Sequence, residues 1–196
     1  MIDLNKTALI LIGFQNDYFA EDGLVHSVID DLNRYDQVVS NITTLIKHWI
    51  ETPATIIATP ITFTPTYEEL VNPVGILKMV QQLNAFQKGT PGAETIKEFE
   101  PLSQHIVEVS GKRGLNAFAD TGLDDALRKK GIQSVVLAGA ITSICIDSTG
   151  RSAHERGYQV NVLRDCIISR TVLEQEFYVE NIFPLYAKVI QSSELF

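Results

Sequence analysis

The sequence predicts an α/β fold: a three-layer α/β/α sandwich around a six-stranded, mostly parallel, Rossmann-like sheet. Three observations predict it. Short runs rich in Val and Ile recur along the chain, longer amphipathic stretches separate them, and the first run is apolar at every position. A strand covered on one face alternates in polarity, whereas Ala8-Leu9-Ile10-Leu11-Ile12 does not, so both its faces are covered.

The elements follow in order. After the first run, residues from about Asp30 to Ile50 place Ile29, Leu32, Val38, Val39, Ile42, Leu45, Ile46 and Trp49 on a 3.6-residue period, which predicts a helix. Ala54–Ala58 is the second strand. The segment from Thr59 to Pro101 carries Pro60, Pro65, Pro73, Pro91 and Pro101, and reads as a long excursion with short helices, serving as a lid or a subunit contact. Ile106–Val109 is the third strand. Leu123–Lys130 is a helix stopped by Gly131, and Ser134–Ala138 is the fourth strand. A helix over Ile144–Arg156 stops before Gly157. Gln159–Leu163, a helix over Thr171–Asn181, and Ala187–Ile190 complete the pattern. With no linker or repeat, residues 1–196 read as a single domain, long enough to bury a core without staples.

Composition narrows the function. Sixteen basic against twenty-four acidic residues give a net charge of −8, which disfavours nucleic acid and anionic membrane surfaces as partners. The two cysteines, Cys145 and Cys166, make no disulfide framework, no stretch approaches the roughly twenty apolar residues of a membrane span, and the first residues lack a signal peptide's pattern. The expectation is a cytoplasmic protein acting on a small molecule.

In parallel α/β sheets ligands gather beyond the carboxyl ends of the strands. After the fourth strand comes Gly139-Ala140-Ile141-Thr142-Ser143-Ile144-Cys145. Thr142 or Ser143 would cap the following helix and Cys145 would lie in its first turn, where unpaired N–H groups favour a thiolate and an oxyanion. A lone cysteine is otherwise a small buried hydrophobe. Lys112, after the third strand, either supports a charged sulfur or belongs to a solvated pair with Arg113. Cys166 reads as structural. Of the histidines, His48, His105 and His154 are scattered, and only His26 is kept as a pocket candidate. No G-x-S-x-G, G-x-G-x-x-G or Walker A motif occurs.

Together these strand-end segments resemble the isochorismatase-like cysteine hydrolase family, from Thr7 to about Leu195. Gly13-Phe14-Gln15-Asn16-Asp17-Tyr18 is similar to its D-x-Q-N-D-[FY] motif, and Lys112 with Asn116-Ala117-Phe118 to its K-x-x-x-[SN]-[AG]-F segment. Gly139–Cys145, continuing through Asp147-Ser148-Thr149, is similar to G-x-x-T-x-x-C-[VI]-x-[ST]-[AT]. The resemblance implies hydrolysis of a small amide, urea or imide at a C–N bond by an Asp–Lys–Cys triad, with Cys145 as nucleophile and Lys112 supporting charged states. It also implies a cis peptide between Ala140 and Ile141, an oxyanion hole from the N–H groups of Ile141 and Cys145, and a homo-oligomer, for whose contact the 59–101 excursion and the aromatic stretch of Phe177, Tyr178, Phe183 and Tyr186 are candidates, the aromatics otherwise reading as core packing. The catalytic Asp of the motif is replaced by Gly13, and Asp17 matches a structural position. That departure leaves two hypotheses: a hydrolase with a displaced base, for which Asp22 is a candidate, or an impaired relative that binds a ligand or acts as a scaffold. Thr59-Pro60-Ile61-Thr62 lacks the Asp and His that would hold a metal, so no metal or other cofactor is expected and nicotinamidase activity is disfavoured.

Overall fold

The computed structural model describes residues 2–31 and 33–196. Strands β1 (Thr7–Ile12), β2 (Thr55–Thr59), β3 (Val107–Glu108), β4 (Ser134–Ala140), β5 (Gln159–Ile168) and β6 (Lys188–Ile190) form one sheet in the order β3-β2-β1-β4-β5-β6. Every neighbouring pair is parallel. Helices α1 (Asn16–Phe19), α2 (Asn33–Trp49), α3 (Gly75–Leu83), α4 (Leu123–Lys129), α5 (Asp147–Glu155) and α6 (Val172–Phe177) lie between them. Among the described residues no helix is long and apolar enough to cross a membrane.

The unbroken apolar run of β1 is explained by its position. All six of its residues are buried. Leu9 and Leu11 join one core cluster, whereas Ala8, Ile10 and Ile12 join the cluster on the opposite face. Val38, Ile42, Leu45, Ile46 and Trp49 of α2 are all fully buried against the first face. Each such side chain stabilises the fold by about 1.5–3 kcal/mol. Leu123 and Leu127 of α4 and Ala153 of α5 pack on the second. Leu32, read from the sequence as an apolar position of this helix, lies outside the described residues, as does Met1.

Several boundaries differ from the sequence reading, three strand bounds among them. Strand β3 shrinks to two residues at the sheet edge. Strand β4 runs on to Ala140. Strand β5 continues through the polar Arg164-Asp165 to Ile168, so Cys166 lies within it rather than after it. The carboxylate of Asp165 survives there because it accepts bonds from the N–H and hydroxyl of Ser192, at 2.9 and 2.6 Å.

The proline-rich excursion is clasped to the end of β1 by Gln15-Asn16-Asp17. The Gln15 amide donates to the carbonyls of Ile61 (2.9 Å) and Ala93 (2.8 Å) and accepts from the N–H of Ile61 at 2.9 Å. Asn16 donates to the carbonyl of Pro91 at 2.8 Å. Buried Asp17 accepts from the N–H groups of Leu24 (3.2 Å) and Phe86 (2.5 Å). Gly92 is required beside it: a Cβ there would stand 2.2 Å from a carboxylate oxygen of Asp17. Asp17→Asn keeps one acceptor oxygen but turns the other into a donor facing one of these two N–H groups. It should cost about 2–4 kcal/mol, read as a lower urea midpoint at unchanged m-value.

Candidate functional site

The carboxyl ends of β1 and β4 approach until only glycine fits. Gly139 has φ +126°, and a Cβ on it would lie 1.8 Å from the carbonyl oxygen of Ile12. Gly13 has φ +70°, and a Cβ there would lie 2.9 Å from the carbonyl oxygen of Ala140 and 3.5 Å from the Tyr18 ring. These are left-handed backbones that a side chain strains. The absence of a side chain at position 13 therefore opens no void, because Tyr18 and the Ala140 carbonyl occupy the space.

Beyond Gly139 the Ala140–Ile141 peptide is cis. A single π-helical turn, Thr142–Ile146, then leads into α5. Cys145 thus sits in a π turn, not in the first turn of a plain α-helix; such turns recur at functional sites. The expected hydroxyl caps are not formed. Thr142 donates to the Gln175 amide oxygen at 2.6 Å, and Ser143 bonds the Glu174 carboxylate, so both hydroxyls tie the turn to α6. The N–H of Ile141 has no backbone hydrogen-bond partner among the described residues.

Lys112 is not a solvated surface residue. Its backbone bridges Ile61 beyond the end of β2, and the residue is 1% exposed. Nζ lies 3.5 Å from Sγ of Cys145, itself 5% exposed. Among the described residues no carboxylate comes within ion-pairing distance of that ammonium. Neighbouring Arg113 turns away to the Thr62 carbonyl (2.8 Å) and Glu69. The loop is held by Asn116, which accepts from the N–H of Phe118, and by the N–H of Ala117, which donates to Thr149 of α5 at 3.0 Å.

Other candidates lie elsewhere. Asp22 is exposed on a surface depression beside α2, so it does not fill the place next to Gly13. His26 bonds the Tyr18 carbonyl through Nδ1 at 3.0 Å and stacks on Tyr35, a packing role rather than a place beside Cys145. Cys166 is fully buried, and burial, followed by the charge of Asp165, pushes its thiol well above the usual range. Two neighbours escaped sequence reasoning. Gln175 and Glu174 reach the cysteine turn from 31–33 residues away, and no local spacing signals that contact.

Comparison with known proteins settles the lineage. The isochorismatase domain model matches residues 7–194. The chain belongs to the isochorismatase family. It is 28% identical over 169 residues to an isochorismatase family protein of Bacillus subtilis, YddQ, spanning 85% of this chain and 79% of that protein. With a ureidoacrylate amidohydrolase of Methylorubrum extorquens it shares 25% identity over 175 residues, 83% of this chain and 70% of the relative. Its fold matches a crystal structure of a cysteine hydrolase from Pseudomonas syringae pv. phaseolicola, with TM-score 0.86 at 20% identity over 99% and 92% of the two chains.

The tie between the family fold's cysteine turn and α6 depends on pH. Burial raises the Glu174 carboxyl, but bonds from Arg170 and Ser143 outweigh it and hold the group below the ordinary carboxylate range. A depressed folded-state value gives stability that is present above the unfolded value and lost as pH falls through the folded one. Glu174→Gln should therefore lower the melting temperature at pH 7, and the gap from wild type should close as pH is taken down to about 3. A gap independent of pH would show that this carboxylate's charge is not what holds the turn.

Proposed function

We propose that this isochorismatase-family hydrolase cleaves the C–N bond of a small amide-like compound through the sulfur of Cys145. The observation that carries the reading is the buried Lys112 ammonium, 3.5 Å from Cys145 Sγ and without a carboxylate partner among the described residues. An amine that close can hold the thiol proton while the sulfur attacks. The matched ureidoacrylate amidohydrolase supports the same class of chemistry.

The residues suffice for a balanced cycle with the thiol proton carried on Lys112. The sulfur attacks the carbonyl carbon, the C=O π pair moves to oxygen, and the N–H groups of Ile141 and Cys145 receive the oxyanion. Lys112 then gives its proton to the departing nitrogen as the C–N bond breaks. Water attacks the thioester and surrenders a proton to the Lys112 amine, and the sulfur leaves as the thiolate. Lys112 thus does the proton work that the family motif gives to a carboxylate at position 13. A missing general acid–base group typically costs about 10²–10⁴-fold in rate, so turnover is expected to be slow.

Alkylation by iodoacetamide at pH 7 tests the nucleophile without knowing the substrate. Cys145 should react faster than free cysteine, Lys112→Met should slow it at least about tenfold, and buried Cys166 should remain unmodified in mass spectra of the digest. A Cys145 no faster than free cysteine would remove the basis for this function.

We also propose self-association, as the family resemblance implies. Of the aromatic stretch, Phe183 is fully buried and so belongs to the core, whereas Phe177 is half exposed. Leu173, one turn before Phe177 on α6, and Leu185 are exposed as well. Light scattering should give a mass above that of one chain, and Phe177→Glu should reduce it.

A further inference from the structure

Four tyrosines of this chain are at least nine-tenths buried: Tyr18, Tyr35, Tyr67 and Tyr158. A buried phenol ordinarily finds a partner for its hydroxyl. Tyr35 donates to the His26 carbonyl at 2.9 Å, Tyr67 to the Ala85 carbonyl at 2.6 Å, and Tyr158 to Asp124 at 2.7 Å. Tyr18 departs from the pattern. Its polar contacts among the described residues are made by its backbone, through its N–H to Gln15 and its carbonyl to His26, each at 3.0 Å. Its hydroxyl has no partner among them, and its oxygen is not one of the fully enclosed unpartnered atoms, so it faces open space although the residue is only 4% exposed.

The place of Tyr18 gives that orphan donor a meaning. Two carbons along one edge of its ring lie 3.5 Å from where a side chain at position 13 would begin. The same point lies 2.9 Å from the Ala140 carbonyl, on the residue that precedes Ile141. The ring is braced by Phe86, with centroids 4.9 Å apart, and helix α1 is fixed by the Asp17 bonds described above. Burial first, then the nearby Cys145, hold the phenol protonated well above its ordinary range. A phenol kept neutral is a poor base but a good donor. It therefore suits the stabilisation of negative charge rather than the removal of a proton.

We propose that the Tyr18 hydroxyl donates a hydrogen bond to the oxyanion formed on the substrate carbonyl, as a side-chain donor beside the N–H groups of Ile141 and Cys145. This deepens the cysteine-hydrolase reading and rests on it. The site that lacks a carboxylate at position 13 is completed by an aromatic hydroxyl from the next turn. The donor stays neutral throughout: no proton leaves Tyr18, and the proton cycle remains with Lys112. Removing one such donor in other oxyanion holes costs about 10²–10³-fold in rate.

The test uses Tyr18→Phe, which keeps the ring and its packing, and propanal as the probe. Addition of the Cys145 sulfur to the aldehyde forms an S–C bond and breaks the C=O π bond, whose electron pair stays on the oxygen as an oxyanion while the thiol proton remains on Lys112. The product mimics the tetrahedral intermediate. Propanal affinity is read as protection of Cys145 from iodoacetamide. Tyr18→Phe should weaken that protection, measured against each protein's own rate without propanal, about tenfold or more, while leaving the melting temperature unchanged, since the hydroxyl has no internal partner to lose. Equal protection in the two proteins would overturn the proposal and leave the cysteine reading intact, as would a clear loss of stability, which would reveal an internal partner for the hydroxyl. If Cys145 in the wild type reacts no faster than free cysteine and propanal gives no protection, the cysteine reading itself fails.

Discussion

The contact between the Lys112 ammonium and the Cys145 sulfur is the point on which the site depends, and the fold must enforce it. A charged amine enclosed by protein and lacking a carboxylate is costly to hold. Its Nζ lies 3.5 Å from a sulfur 33 positions away in the chain. Nothing local brings the two together. Lys112 is placed by the bridge to Ile61 past the end of β2, and Cys145 by a turn that leaves β4 where that strand touches β1. The loop carrying Lys112 is in turn fastened to α5 through Ala117 and Thr149. The pair is a product of strand order: β2, β1 and β4 are successive neighbours, so residues beyond their ends meet.

The same contact reconciles a strongly acidic chain with chemistry on an anion. The net charge of −8 repels negative ligands at a distance. Inside the site the balance reverses, because Lys112 has no carboxylate within ion-pairing distance among the described residues. In the proposed mechanism a negative sulfur, and later a negative oxygen, would meet this lysine in an environment of low polarity. There an ammonium at a few ångströms acts far more strongly than in water. Distant field and local field thus differ: the first disfavours polyanions at the surface, and under the proposed mechanism the second would favour charge on the reacting atoms.

Much of this architecture was legible in the residues. The apolar run of β1 announced a strand covered on both faces, and the 3.6-residue period of Val38, Ile42, Leu45, Ile46 and Trp49 announced the helix that covers one of them. Lys112 and Cys145 could be picked out because both follow strands and both fall in recognisable motifs. What escaped was decided by contacts distant in sequence. The extension of β5 through Arg164-Asp165 rests on Ser192, and the fate of the Thr142 and Ser143 hydroxyls rests on Gln175 and Glu174. Local rules assign those hydroxyls to a helix cap. The fold offered them stronger partners on α6, and the first turn became a π turn instead.

Gly13 shows why a missing side chain is not simply a deletion. With φ +70° and the Ala140 carbonyl 2.9 Å from where a Cβ would start, the backbone is already committed to glycine. Restoring a carboxylate there would require the end of β1 to rotate out of the left-handed region and the Ala140 carbonyl to retreat. That carbonyl belongs to the segment that leads into the Cys145 turn, so the motion would disturb the proposed nucleophile. The conformation at Gly13, the seat of the Tyr18 ring and the path of β4 are therefore one coupled arrangement that leaves little room for a side chain at position 13.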